Sequence, residues 1–224
     1  MKQMRKIKPT RMSVSGRVPY KGSSVPYEST LERDLIIVHA FREDVEDIVA
    51  QPITIPFVKN GITYKYTPDF FIKFVEDIDK PNMIIEVKPY DLWQENWRDW
   101  SDKWKTMQRY CKDNGYIFRI YDESRIRNTA LNNINFLMTF KNSAIEREDQ
   151  EAVLEQVRLM GTTTIDYLLT RFYTGSLLRN HGLRVIYHLL ATKQLKFDLF
   201  IKINDLTDCL LYTSPSPRDM RRSR

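Results

Sequence analysis

Pro68-Asp69-Phe70-Phe71-Ile72-Lys73-Phe74-Val75 and, a few residues on, Met83-Ile84-Ile85-Glu86-Val87-Lys88 decide how this chain reads. Phe70–Val75 predicts a strand, and Met83–Val87 a shorter, fully apolar one. A short apolar run of this kind suits a strand covered on both faces. Residues two apart on a strand point to the same side, so Glu86 and Lys88 share a face. Glu86 interrupts the run Ile84-Ile85-Glu86-Val87, and a charge in a buried strand must be paired or functional. Pro68-Asp69 sets a second carboxylate just before the preceding strand.

Working outward, Ile53–Val58 and Ile62–Tyr66 flank Asn60-Gly61, a strong short-range hairpin signal. Upstream, Ser29-Thr30-Leu31-Glu32 opens a helix to about Phe41, with Leu31, Leu35 and Val38 on one face. Downstream, residues 94–114 have helical spacing and Gly115 is placed to end that helix. Trp93, Trp97, Trp100 and Trp104 form a stripe on it, which helical spacing assigns to core ahead of base stacking, with Trp93 and Trp97, close behind the Glu86 strand, as candidates to border DNA. Tyr116–Tyr121 predicts a strand and Glu123–Leu137 a helix. The outcome is an α/β fold, a mixed sheet flanked by helices. The polar segment 141–150 predicts a domain boundary. Helices near 150–160, 163–173 and 179–193 and a strand-like alternation over Lys196–Ile203 outline a small winged helix-turn-helix.

Composition narrows the class. The 42% hydrophobic content supports a core, yet no apolar run is long enough for a membrane span. No apolar stretch follows the basic N-terminus, so no secretory signal is expected. Cys111 and Cys209 make no disulfide framework and fit a reducing cytoplasm. Residues 1–26 are basic, with Pro9, Pro19, Pro26, Gly16 and Gly22, and predict a largely irregular arm. Lys2, Arg5, Lys6, Lys8, Arg11, Arg17 and Lys21 give residues 1–22 a net +7. Such an arm suits phosphate contact, with Lys6, Arg11 and Arg17 as candidates, or simple solvation.

The C-terminal segment reads differently. Cys209-Leu210-Leu211-Tyr212-Thr213-Ser214-Pro215-Ser216-Pro217-Arg218-Asp219 matches one reading frame of an adapter used in DNA sequencing libraries. Residues 209–224 are therefore expected to lie outside the natural fold, the natural chain continuing past Asp208 and the winged-helix domain being truncated. Their net +3, removed from the total of +6, leaves +3, so residues 23–208 are near −4.

The carboxylates and lysine suggest a chemistry. Phosphodiester hydrolysis uses a divalent cation, a positioned water and charge balance at phosphorus; carboxylates are the hard oxygen ligands Mg²⁺ prefers. Asp69 and Glu86 would hold metal, with Lys88 orienting water or stabilising the transition state. Each residue has a plainer explanation: Asp69 as a turn carboxylate, Lys88 as a solvated strand end. Glu32 has a strong one, because Ser29-x-x-Glu32 is a capping box; on the residues alone the cap leads. His39, His181 and His188 read as ordinary residues. Arg179 and Arg184 on the last helix suit either DNA contact or docking of a partner.

Tyr27-Glu28-Ser29-Thr30-Leu31-Glu32-Arg33-Asp34, Gln51-Pro52, Tyr66-Thr67-Pro68-Asp69-Phe70, Glu86-Val87-Lys88-Pro89, Lys103-Trp104 and Asn114-Gly115-Tyr116-Ile117-Phe118-Arg119 resemble, in order and spacing, the TnsA family, the endonuclease subunits of heteromeric cut-and-paste transposases. The likeness spans roughly 10–140, with a weaker likeness over 150–207. It implies a restriction-endonuclease-like domain over 27–140 and a winged-helix-like domain over 150–208. It places the active site on Glu32, Asp69, Glu86 and Lys88. It implies one or two Mg²⁺ ions, with Mn²⁺ able to substitute, on Asp69, Glu86 and the Val87 carbonyl, and Glu32 bound directly or through water. Double-stranded DNA at transposon ends, a DDE-type transposase and an AAA+ regulator ATPase are the implied partners. Lys103 is a further candidate for nucleic-acid contact. A phage or restriction-type nuclease of the same fold, and a catalytically silent DNA-binding adaptor, are the alternatives.

Overall fold

The computed structural model describes residues 14–76 and 79–211, which divide into two compact units, Met1–Asn128 and Thr129–Arg224. The division falls earlier than the polar 141–150 segment expected to mark it. Among the described residues no helix is long and apolar enough to cross a membrane.

The first unit is built on a four-stranded mixed sheet in the order β3-β6-β7-β8. Its members are β3 (Val45–Ala50), β6 (Phe70–Phe74), β7 (Met83–Val87) and β8 (Ile117–Tyr121). The pairs β3–β6 and β6–β7 are antiparallel and β7–β8 is parallel. Every residue of β7 is buried, because apolar side chains cover it on both faces. Met83, Ile85 and Val87 join Leu31 and Leu35 of α1 (Thr30–Phe41) in one core. Ile84 joins Trp104, Met107 and Cys111 of α2 (Tyr90–Asp113) in another. Helix α2 begins four residues before the expected start and ends at Gly115, whose φ of 71° is the left-handed value that favours glycine. The expected hairpin is present as β4 (Ile55–Lys59) and β5 (Ile62–Tyr66) around Asn60-Gly61.

In this unit two local expectations require correction and one strand was missed. Residues 16–27 are not irregular: β1 (Gly16–Tyr20) and β2 (Ser23–Tyr27) form an antiparallel hairpin. Lys21 and Gly22 both take positive φ at its turn, and Tyr20 and Val25 anchor it in the α1 core. Strand β3, Val-Glu-Asp-Ile-Val-Ala, carries two acids that hid it, but Val45, Ile48 and Ala50 face the core. The helix expected over 123–137 is broken into α3 (Glu123–Ile126) and α4 (Thr129–Met138).

The second unit holds α4, α5 (Arg147–Met160), α6 (Ile165–Phe172) and α7 (Ser176–Ala191). A small antiparallel sheet in the order β10-β11-β9 completes it, from β9 (Thr162–Thr164), β10 (Leu195–Lys196) and β11 (Asp208–Leu211). The strand expected over Lys196–Ile203 is confined to Leu195–Lys196; instead Asn133 donates to the carbonyls of Leu199 and Ile201, which run as loop. Residues 209–211, expected outside the fold, belong to β11, where Cys209 and Leu210 are fully buried. Residues 212–224 lie outside the described residues.

Candidate active site

The site forms where β6 and β7 run side by side. Phe70 lies opposite Ile85, so Asp69, just before β6, meets the end of β7. The Val87 amide donates to Asp69 Oδ2 at 2.7 Å. The Asp69 carbonyl accepts the Gln51 amide at 2.8 Å, which locks the backbone around it.

Lys88 leaves the strand with its amide bonded to the Tyr121 carbonyl, and its ammonium returns to the carboxylates. Nζ lies 3.0 Å from the Val87 carbonyl oxygen, 3.2 Å from Glu86 Oε1 and 3.4 Å from Asp69 Oδ2. Burial alone would lower the Lys88 pKa, but Asp69 and Glu86 outweigh it and hold the amine well above its usual range. Burial, reinforced by Glu86, raises the Asp69 carboxyl to about 7 despite Lys88 and the Val87 amide.

Glu86 is only 2% exposed. It is tolerated because Tyr66 donates its hydroxyl to Oε2 at 2.8 Å and Lys103 Nζ approaches Oε1 at 3.5 Å. Lys103 stands over the rings of Trp100, Tyr66 and Trp104 at 4.6, 5.1 and 5.6 Å, contacts that favour a cation. Burial and Glu86 push the Tyr66 phenol far up, so it remains a donor. These groups line a cleft of about 720 Å³ whose wall also includes Glu28, Lys59, Lys65 and Trp100.

Asp69, Glu86, Val87 and Lys88 are thus brought together, with Lys103 beside them. Glu32 stands on the first turn of α1. It accepts the Glu28 amide at 2.8 Å and the Ser29 hydroxyl at 3.0 Å, while Ser29 Oγ accepts the Glu32 amide. Ser29 therefore caps α1 as the sequence predicts, while the Glu32 carboxylate closes back on the Glu28 amide instead of the Ser29 amide of a capping box. Burial raises the Glu32 pKa, and Lys88 is near enough to lower it. Arg17 is tied to Ser24 within its hairpin; Lys6 and Arg11 lie outside the described residues. Arg179 is held by Asp166 and Asp205. Of the tryptophan stripe, Trp104 is core, Trp97 is 49% exposed, and Trp93 donates to Asp122. Sequence reasoning missed Tyr66 as the partner of Glu86, although it opens the Tyr66-Thr67-Pro68-Asp69 run.

Among the described residues, no three His, Cys, Asp or Glu side chains gather into a metal-holding group. The donor chemistry nonetheless fits a hard cation. Two carboxylate oxygens and a carbonyl oxygen converge on one positive centre, the Lys88 ammonium.

Comparison with known families places residues 42–123 in the TnsA-like endonuclease N-terminal region and residues 125–199 in the TnsA endonuclease C-terminal region. No curated protein matches the chain.

Proposed function

The chain belongs to the TnsA family of endonucleases, and from that premise we propose that it hydrolyses DNA phosphodiester bonds with a divalent metal ion, cutting the 5′ ends of a transposon as one subunit of a heteromeric transposase. The supporting observation is the convergence of Asp69, Glu86 and the Val87 carbonyl on a single cation position.

Asp69, Glu86 and the Val87 carbonyl would hold Mg²⁺, or Mn²⁺ in its place. The bound ion supplies a Lewis acid and an activated water nucleophile. Tyr66 holds Glu86 Oε2 and Lys103 approaches Oε1, the oxygen that also meets Lys88, so the carboxylate is fixed in orientation. Lys88 is the cation nearest these oxygens; displaced from them, it is placed to balance charge developing on the phosphate. Glu32 contributes negative charge from the α1 cap, directly or through water. Attack by water leaves a 3′-hydroxyl and a 5′-phosphate. We read the helix and strand order of α5, β9, α6, α7, β10 and β11 as a winged helix and assign it to DNA or partner binding. A DDE-type transposase and an AAA+ regulator complete the proposed assembly, in the cytoplasm.

The test is strand-specific cleavage of a transposon-end duplex with Mg²⁺ and the cognate transposase, comparing the parent chain with Asp69→Ala and Glu32→Gln. Cuts confined to the 5′ ends, lost in Asp69→Ala and weakened at least tenfold in Glu32→Gln, are expected. Cleavage that needs no transposase would favour a stand-alone nuclease, and equal cutting by Asp69→Ala would remove the assigned site.

A further inference from the structure

A second concave surface of the first unit has a charge that catalysis does not use. Lys105, Arg109 and Lys112 follow one another at helical spacings of four and three, so they share one face of α2. Arg119 of β8 lies across from them. With Gln108, Cys111, Tyr116, Ile117 and Phe118 these residues line a groove of about 510 Å³. No Asp or Glu lines it, and it has no residue in common with the catalytic cleft.

All four cations are exposed, and among the described residues none is in an ion pair. Arg119 donates one guanidinium N–H to the Phe118 carbonyl, which leaves its other N–H groups and its charge without an acidic partner among the described residues. The helix dipole favours cations only in the last turn of α2. It accounts for Lys112 but not for Lys105, two turns earlier, nor for Arg119 on another element. The pattern also stands against a background near −4 over residues 23–208. From Lys105 to Lys112 the helix rises about 10 Å, matching about three steps of a nucleic-acid strand at 3.4 Å each.

We propose that this groove, formed by the C-terminal half of α2 and the edge strand β8, binds the phosphodiester backbone of duplex DNA apart from the point of cleavage. The proposal rests on the nuclease reading above for the identity of its ligand. The bound backbone is either an extension of the duplex being cut or a second duplex held in the same assembly.

The experiment uses the full chain with the triple substitution Lys105→Ala/Arg109→Ala/Lys112→Ala, whose exposed positions spare the core. Fluorescence anisotropy over a salt series with a long duplex should show affinity lowered at least tenfold. The slope of log affinity against log salt should fall by about 2.7, roughly 0.9 for each phosphate no longer neutralised. Cleavage of a short duplex confined to the cut site should be unchanged. Asp69→Ala should do the reverse, losing cleavage while keeping the parent slope, so failure of the nuclease reading is seen separately. Equal affinity and equal slope in the triple variant would overturn the groove.

A photo-crosslinker on Arg109→Cys identifies the DNA, because native Cys111 and Cys209 are buried and burial pushes both thiols up. Crosslinks to the cut duplex or to a separately labelled second duplex both support the proposal and separate its two forms. Crosslinks only to a protein partner would overturn it.

Discussion

Asp69 and Lys88 sit in one oxygen cluster and both pKa values are raised, that of Asp69 by burial and Glu86 against the pull of Lys88, that of Lys88 by Asp69 and Glu86 against burial. An acid whose folded-state pKa lies above its unfolded value contributes stability that is complete below the unfolded pKa. That stability is lost as pH rises through the folded pKa. For Asp69 the window runs from 3.8 to about 7. Asp69→Asn, which cannot ionise, should therefore melt higher than the parent at pH 8 in a chelator, with the difference closing as pH falls toward 4. A parent that is equally stable or more stable at pH 8 would contradict the buried, crowded environment assigned to this carboxyl. Lys88→Met has the opposite sign. It leaves Asp69 and Glu86 facing each other without their shared ammonium. A loss of ~3 kcal/mol in urea unfolding is expected, the lower end of the range because Lys88 is 24% exposed. The shared face of Glu86 and Lys88 was legible from Glu86-Val87-Lys88, since period two determines it, whereas their assignment with Asp69 to one site rested on the family resemblance. The Tyr66 and Lys103 partners of Glu86 were not legible, because they arrive from other elements.

Elements carried their own signals unevenly. Helix α1 was readable because Ser29, Glu32 and the apolar face agree, and the β4–β5 hairpin because Asn60-Gly61 supplies the turn. Strand β3 escaped notice because its buried positions alternate with acids that read as a charged loop. The α3–α4 break escaped because Asn128 and Thr129 sit within a continuous helical pattern; Asp122 caps the first short helix through Ser124. In the second unit, α6 and α7 approach so closely that Gly182 leaves no room for a methyl group. A Cβ there would lie 2.3 Å from Tyr173 Cδ2 and 2.8 Å from Leu169 Cδ2. Gly182→Ala should consequently destabilise that unit by ~1–3 kcal/mol, exceeding the ~1 kcal/mol gained in helix propensity. Calorimetry of the variant measures it, and an unchanged or raised melting temperature would refute the tight α6–α7 contact.

At the scale of the whole molecule, the oxygens proposed to hold the ion all belong to the unit Met1–Asn128. Mg²⁺ at ~100 times its Kd should stabilise the state that binds it by about 2.7 kcal/mol. Hydrogen exchange should show that protection at the Val87 amide and its sheet neighbours, with amides of 129–211 unaffected, and Asp69→Ala should abolish it. Equal protection in both units would mean that the ion binds elsewhere. The sequence by itself determined the mixed α/β class, the strand pair that carries the carboxylates and the capped helix bearing Glu32. Each of these follows from local periodicity and turn chemistry, interactions that act over a few residues. Only the tertiary structure decided that Lys88 turns back between Asp69 and Glu86, that three aromatic rings hold Lys103 against Glu86, and that Arg119 joins the basic face of α2. Those contacts depend on strand register and on the packing of α2 over the sheet, and both are settled by burying apolar surface from distant parts of the chain.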